Sequence, residues 1–343
     1  NAQGFQAPGF GTQDLATILI SSQPFTGEQL AKLKDRIAQE HFRPIWLPRA
    51  DGNRQSLTDL FETNGSDEFF RHFYEQNGLD ISPVSDDKPF FFAMTNPFDA
   101  ARRLKSPDWV DSLALAVRYG PMLELRNSVR VGAVMILVLV LAPLLLRSRE
   151  LAPLTKTTPF LLYFSLAGAS AMGIQLGLMQ LYSLFLGHPI YSLTVTLATL
   201  LSASALGSLA TARISKRPAL AAALVAAGLS IILAGYGGYA PGVLKSLISK
   251  DFVEKTAVSI ATIAPLGFGM GMLYPLGVKA LGGRHQLIPW AWGLNTASAA
   301  FSGLISLCLA LTVGFTSTWL LFATGFGLVA LTALLLRPLS TRD

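Results

Sequence analysis

The sequence is poor in charge and in cysteine, and both shortages restrict the class of protein. Asp, Glu, Lys and Arg make up 14% of the 343 residues, whereas soluble domains are about 25% charged. The single cysteine, Cys308, excludes an intramolecular disulfide framework and a cysteine-based zinc site. Residues 1–14 lack a basic start followed by an apolar stretch, so they do not have the pattern of a signal peptide. The composition therefore argues against an ordinary soluble protein.

Acidic residues are nearly absent from the second part of the chain. Residues 1–128 contain 13 Lys and Arg with 17 Asp and Glu, whereas residues 129–343 contain 14 with only 4. The basic residues of the second part fall in short clusters between long apolar runs. This pattern is typical of membrane topology and not of a nucleic-acid-binding surface. We therefore expect a lipid bilayer as the environment and no nucleic acid as a partner.

Seven apolar stretches are long enough to cross a bilayer, which takes about 20 helical residues. Lipid offers the backbone no hydrogen-bonding partners, so helices are the expected form of these stretches. Together they predict a seven-helix transmembrane domain over residues 129–337. The stretches run approximately over residues 129–146, 160–186, 191–210, 218–239, 257–281, 288–313 and 316–336.

Small residues recur within these stretches, over residues 167–171 of the second and 202–208 of the third. Membrane helices approach each other closely at such residues. The fifth stretch contains a GxGxG motif formed by Gly267, Gly269 and Gly271. No strand precedes this motif, so a phosphate-binding loop is disfavoured. The motif predicts helix packing or a helix break.

The positive-inside rule gives an orientation for the seven stretches. The loops after the first, third and fifth stretches and the C-terminus carry ten Lys and Arg, and the opposite side carries six. Taken alone, this count places the C-terminus in the cytoplasm and the N-terminal region outside.

The N-terminal region has the pattern of a strand, a helix and a second strand. Residues 15–21 form a short apolar run rich in β-branched residues, and residues 44–47 form another. Between them, Thr26 and Gln29 match a capping box and predict a helix start. Since strand, helix and strand form the unit of a parallel sheet, we expect a partial α/β domain over residues 1–106.

Further elements are expected between this unit and the first transmembrane stretch. A helix is predicted to start at Ser66, and Asp86-Asp87-Lys88-Pro89 predicts a turn that leads into an aromatic strand. Residues 107–128 are typical of an amphipathic connector at the membrane surface. The predicted fold is therefore a mostly α, polytopic membrane protein preceded by a partial α/β, Rossmann methyltransferase-like region.

A set of short motifs extends over nearly the whole chain. They are Pro24-Phe25-Thr26, Asp86-Asp87-Lys88-Pro89-Phe90-Phe91, Leu186-Gly187-His188-Pro189, Tyr191-Ser192-Leu193, Gly207-Ser208, Met270-Gly271, Pro275-Leu276-Gly277 and residues 292–295. With these motifs the chain resembles the membrane-embedded spermidine synthase-like proteins of bacteria, in which a methyltransferase-type Rossmann domain is joined to multispan helices. The resemblance implies aminopropyl transfer from decarboxylated S-adenosylmethionine to a diamine, or a related use of that cofactor.

The sequence departs from this family in two places. The Gly-rich turn and the acidic residues with which the family binds its adenosyl cofactor are missing, so we expect no catalytic residue and no cofactor for this chain alone. In the second transmembrane stretch, Gln175 and Leu181 stand where we expect the family to have Glu and Arg, while Gln180 is kept. Buried ion pairs in lipid are costly and usually functional, so their replacement indicates that a proton or ion role is lost.

Six polar residues are candidate contacts for a polar ligand or a polyamine: Asp86, Asp87, Gln175, Gln180, His188 and Asn295. Adjacent carboxylates suit a polycation, but Asp-Asp-x-Pro also favours a turn, which we prefer. His188 could relay a proton or cap a helix end, and Asn295 could bind a substrate or make an interhelical hydrogen bond. The structural role is favoured for both. No metal-ligand set surrounds His188 in the sequence.

A basic cluster, Arg102, Arg103 and Lys105, lies before the first transmembrane stretch. Such side chains are expected to contact anionic lipid headgroups.

Three functions stay open at this point. We favour a non-catalytic subunit or scaffold of a larger complex, which implies other membrane protein subunits as partners. The first alternative is an aminopropyltransferase or other adenosyl-cofactor enzyme completed by an N-terminal segment. The second is a polyamine or small-solute transporter, which the lack of Asp and Glu inside the stretches weakens. The family resemblance implies a multi-pass protein of the bacterial inner membrane. A methyltransferase-like domain would face cytoplasmic cofactor, against the charge count, so the side of the soluble region stays open.

Overall fold

The computed structural model describes residues 19, 23–41, 47, 66–77, 80–90, 112–146, 154–214, 216–282 and 284–336. The chain divides into two units. The first contains Asn1–Val84 and Phe90–Leu123, and the second contains Ser85–Pro89 and Glu124–Asp343. The segment Ser85–Pro89 therefore belongs to the second unit, although residues of the first unit precede and follow it in sequence.

The first helix of the first unit, α1 (Gly27–Gln39), begins as predicted. The hydroxyl of Thr26 accepts a hydrogen bond from the backbone N–H of Gln29 at 3.3 Å. The Gln29 side-chain oxygen accepts one in return from the Thr26 N–H at 2.9 Å. These two bonds complete the capping box and satisfy amides that have no partner inside the helix. The second helix, α2 (Asp67–Asn77), follows Ser66 at the predicted position.

No strand occurs among the residues that the structure describes. The predicted strands 15–21 and 44–47 fall outside those residues except for Leu19 and Leu47, and both of these are irregular. Phe90, in the predicted aromatic strand, is irregular as well. A strand needs a neighbour to receive its backbone hydrogen bonds, and no described segment provides one. The mostly α fold class is confirmed, whereas the preceding α/β region receives no support.

Seven helices of the described chain are long and apolar enough to cross a membrane, as predicted. The first span, Met122–Leu144, joins parts of two helices, and each later span is dominated by one helix. The helices are α3 (Ser112–Ile136), α4 (Ala142–Leu146), α5 (Leu154–Leu186), α6 (Pro189–Ala210), α7 (Pro218–Ser246), α8 (Phe252–Ala280), α9 (Ile288–Val313) and α10 (Phe315–Leu335). Because α3 begins at Ser112, it continues through much of the predicted connector without a break.

A π-helical turn, Leu137–Leu141, joins α3 to α4. The cause lies in the sequence, because Pro143 has no N–H and its ring excludes the regular α-helical position of the Leu139 carbonyl. The N–H of Ala142 bonds to the carbonyl of Leu137, five residues back. This wider spacing defines a π-turn. The proline of the first span therefore accounts for its π-helical turn.

Helix α5 is central to the transmembrane bundle and packs against α6, α8, α9 and α10. Its side chains Tyr163, Ile174, Leu178 and Tyr182 are fully buried. Helix α6 packs on α8, and α7 packs on α8 and α10. The first span contributes little to this core, and most of its side chains are exposed. In a bilayer these exposed apolar side chains face lipid.

The glycines of the GxGxG motif are helix-packing residues, as predicted. A Cβ on Gly271 would overlap the backbone carbonyl of Ser204, and a Cβ on Gly267 would press on the backbone of Leu200. The Ser204 hydroxyl donates a hydrogen bond to the Gly267 carbonyl at 2.9 Å. Gly269 faces Leu229 on α7. The motif therefore allows α8 to lie backbone to backbone against α6.

Candidate functional site

The structure brings two of the predicted polar residues, Gln175 and Asn295, to the same intramembrane pocket. The pocket lies between α5, α8 and α9 and has a volume of about 200 Å³. Its position depends on Gly168, where a Cβ would overlap the backbone carbonyl of Asn295. The close crossing of α5 and α9 places the two amides on one cavity. The other lining residues are Ala167, Ala171, Met172, Met270, Leu273, Tyr274 and Ala299.

The lining of this pocket is neutral. Amides and a phenol can donate and accept hydrogen bonds, and the two methionines supply adaptable apolar surface. An isolated cation would lose its hydration without gaining a counter-charge, which costs several kcal/mol. Since one water takes about 30 Å³, the volume corresponds to a few waters or one small molecule. The pocket suits a small neutral polar molecule and does not suit a polyamine.

A chain of hydroxyl groups crosses the bundle core, and sequence reasoning missed it. The Thr262 hydroxyl donates to the Val258 carbonyl at 2.7 Å, which leaves its oxygen free to accept from Tyr182 at 2.5 Å. Tyr182 in turn accepts from Tyr236. The order of donors is therefore Tyr236, Tyr182, Thr262 and the α8 backbone. This chain joins α7, α5 and α8 inside an otherwise apolar core.

Trp319 of α10 completes this cluster. Its indole N–H donates to the Leu233 carbonyl at 2.7 Å, and its ring stacks on Tyr236 with centroids 5.7 Å apart. Glycines make room for the indole, because a Cβ on Gly177 or Gly237 would press on the ring. In the sequence, this cluster is marked by tyrosine hydroxyls within apolar runs. The cluster fixes four helices relative to one another.

His188 caps a helix, in agreement with the favoured interpretation. Its Nδ1 accepts a hydrogen bond from the backbone N–H of Ile190 at 3.2 Å, at the first turn of α6. Gly187 before it has φ +79°, a conformation that glycine adopts readily. The imidazole is exposed and contacts the ring of Tyr191. This role leaves His188 at an end of the bundle and away from the pocket lining.

The Asp86-Asp87-Lys88-Pro89 segment forms the predicted turn, and the turn docks on the transmembrane bundle. The Lys88 N–H donates to the Ser85 carbonyl at 3.0 Å. Asp87 receives two amides of α10: its carbonyl accepts from Phe315 at 3.0 Å and its Oδ1 accepts from Thr316 at 2.7 Å. Both are first-turn amides that have no partner inside α10.

Lys88 completes the docking at the neighbouring helix end. Its Nζ donates to the Thr312 carbonyl at 2.9 Å, in the last turn of α9. A carboxylate at a helix N-terminus and an ammonium at a helix C-terminus both favour the helix dipoles. One Asp-Lys pair therefore stabilises both sides of the α9–α10 turn. Asp86 is exposed, so the two adjacent carboxylates do not face one site.

The other predicted residues lie elsewhere. Gln180 is half-buried on α5 and is not among the pocket-lining residues. Arg102, Arg103 and Lys105 lie outside the described residues, and their contact with lipid stays a prediction. Within the ranges that the structure describes, no group of three or more His, Cys, Asp or Glu could hold a metal ion. Cys308 is buried in α9.

Comparisons with protein-family models, with curated proteins and with solved structures found no match for this chain. The architecture alone therefore defines the class: a helical protein whose described residues contain seven helices capable of spanning a membrane.

Proposed function

We propose that this protein is a non-catalytic membrane scaffold, a seven-span anchor that works with other subunits in a membrane complex. The observation that carries the proposal is the Asp87–Lys88 turn. A segment enclosed in sequence by the first unit makes hydrogen bonds to both helix ends of the α9–α10 turn. The sequence of the first unit is therefore interrupted by a segment that belongs to the bundle.

The chemistry of the polar residues supports a structural role. The Asp87 carboxylate serves the amides of α10, and His188 serves the first turn of α6. The hydroxyl chain ends on a backbone carbonyl and stays inside the core. Each of these groups already has a hydrogen-bonding partner within the fold, which is the basis for assigning it a structural role.

We interpret this function through the resemblance to the spermidine synthase-like family. On this interpretation residues 1–106 correspond to part of a Rossmann-like region, and the protein resides in the bacterial inner membrane. Partner subunits then supply any adenosyl-cofactor chemistry. The start of α1 at its capping box agrees with the helix of the strand-helix-strand unit expected from the sequence.

The test is co-purification from native membranes, combined with an activity assay. A tagged chain, expressed from its own chromosomal locus and extracted in mild detergent, should run with at least one different subunit and should form no aminopropyl product from decarboxylated S-adenosylmethionine and putrescine. Asp87→Ala should reduce the co-purified subunit, whereas Asp86→Ala should leave it unchanged. A homogeneous single-chain species that forms spermidine would overturn the proposal.

A second candidate function is the passage or sensing of a small neutral solute, because the pocket joins Gln175 and Asn295 within the membrane bundle. Proteoliposomes containing the purified chain should then take up a labelled neutral solute of about that size. Gln175→Leu and Asn295→Leu should abolish uptake, whereas Gln180→Leu should not. Equal uptake by all three variants would exclude a role for the pocket.

A further inference from the structure

A second cavity of about 430 Å³ lies where α6 ends and α7 begins. Three basic side chains line it: Arg213, Lys216 and Arg217. The 3₁₀ turn Thr211–Arg213 follows α6, and Pro218 starts α7. Both helices are long and apolar enough to span a membrane, which places their shared end at the level of the lipid headgroups. The cavity is therefore a basic recess at the membrane interface.

The three cations have no acidic partner among the residues that the structure describes. All three are exposed, and they form no ion pair with any described residue. The sequence contains no Asp or Glu between Leu151 and Lys250, so neither α6 nor α7 can supply one. Asp251 and Glu254 lie at the start of α8, whereas it is the end of α8 that contacts the loop of the recess. No described acidic side chain therefore compensates the positive charge of the recess.

Two further features of the recess favour an anion there. Lys279, at the end of α8, donates to the carbonyls of Thr211 and Ile214. It adds a fourth cation nearby and occupies acceptor groups that would repel an anion. Helix α7 has no side-chain cap at its N-terminus, so its first amides and the positive end of its dipole add to the attraction.

The part of the recess that lies along α7 is apolar. Leu220, Ala221 and Leu224 follow the basic residues along α7, and Leu220 and Leu224 are 41% and 66% exposed. A free phosphate makes no favourable contact with this apolar surface. A phospholipid can place its phosphate beside the cations and its acyl chain along the leucines. We propose that this recess binds one anionic glycerophospholipid, with Arg213, Lys216 and Arg217 holding the headgroup phosphate.

The test is native mass spectrometry of the full chain in detergent, with phosphatidylglycerol and phosphatidylcholine supplied at equal mole fraction. The wild type should retain one phosphatidylglycerol in preference to phosphatidylcholine. Each cation near a lipid surface contributes about 1 kcal/mol, so Arg213→Gln/Arg217→Gln should lower retention at least about tenfold. The control, Lys245→Gln/Lys250→Gln, neutralises Lys245 in the last turn of α7 and Lys250 in the turn that follows, where it pairs with Glu254. This variant should retain the lipid.

Two further measurements make the result independent of folding in the variant. On the wild type, raising the salt from about 0.01 M to about 1 M shortens the Debye length from about 30 Å to about 3 Å and should release the lipid. Inorganic phosphate at millimolar concentration should not displace it. Equal retention of both lipids, unchanged retention in Arg213→Gln/Arg217→Gln, or displacement by phosphate would each overturn the proposal.

Discussion

The carboxylate of Asp87 accepts a hydrogen bond from the backbone N–H of Thr316, 229 residues later in the chain, at 2.7 Å. Asp at a helix N-terminus is among the strongest caps, but it is normally supplied by the residue before the helix. Here that residue is Gly314, which has no side chain. The cap of α10 therefore comes from a remote turn, and the first two predictions below depend on this contact.

Asp87→Ala should lower the free energy of unfolding by about 1 kcal/mol, because loss of an N-cap costs about 0.5–2 kcal/mol. Asp87→Asn should lose less, since the amide oxygen can still accept the Thr316 N–H. The measurement is equilibrium unfolding of the detergent-solubilised protein followed by tryptophan fluorescence. Asp86→Ala is the matched control, and an equal loss in that variant would contradict the assignment of the cap to Asp87.

Gly314→Ala should destabilise the protein by more than 1 kcal/mol. Gly314 has φ +88°, a conformation that side chains rarely adopt, and a Cβ there would overlap Oδ2 of Asp87. The control is Gly238→Ala, a helical position with open space around its Cβ. That change should be neutral or stabilising by up to about 1 kcal/mol. Thermal unfolding of both variants distinguishes strain at Gly314 from a general effect of glycine replacement.

Tyr182→Phe should cost about 1–3 kcal/mol, because it leaves the Tyr236 hydroxyl without its acceptor inside the core. Tyr236→Phe removes only the first donor of the chain and should cost less. A double-mutant cycle on these two residues should give a coupling energy of about 0.5 kcal/mol or more. Tyr239→Phe serves as the control, since Tyr239 is 78% exposed. Additive losses would show that the two hydroxyls act independently.

Gly271→Ala should separate α6 from α8 and cost about 2 kcal/mol or more, because the added Cβ meets backbone atoms of Ser204 that cannot rotate away. Gly235→Ala, which has open space on α7, should not have this effect. Cysteines placed at exposed positions of the two helices, in a background where Cys308 is replaced by Ala, would report the separation. Their disulfide crosslinking should fall in Gly271→Ala relative to Gly235→Ala.

The sequence predicts local features of this protein well and long-range pairings poorly. The length of apolar runs is a local property, and so is the spacing of Thr26 and Gln29, so the spans and the start of α1 are predicted. The tight packing at Gly267 and Gly271 is also predictable, because small residues in a span have few other uses. The turn at Asp86-Asp87 follows from its composition.

The helix ends that the Asp87–Lys88 turn contacts were not predictable, because no local pattern identifies a partner more than 220 residues away. The meeting of Gln175 with Asn295 depends on the packing of α5 against α9, which a single sequence does not specify. The hydroxyl chain through Tyr182 was missed for a different reason. An aromatic residue within an apolar run is interpreted as a packing residue. The hydrogen bond of its hydroxyl becomes evident only when the neighbouring helices are placed.

The docking of the Asp87–Lys88 turn has a mechanical consequence. A tensile load that passes along the backbone through Ser85 acts on the hydrogen bonds to Thr312, Phe315 and Thr316. Along this path it acts on the last two helices before it acts on the first span, which follows Pro89 in sequence. Pulling from the N-terminus in a single-molecule force experiment should show an early rupture at this turn, ahead of the extraction of any helix from the membrane.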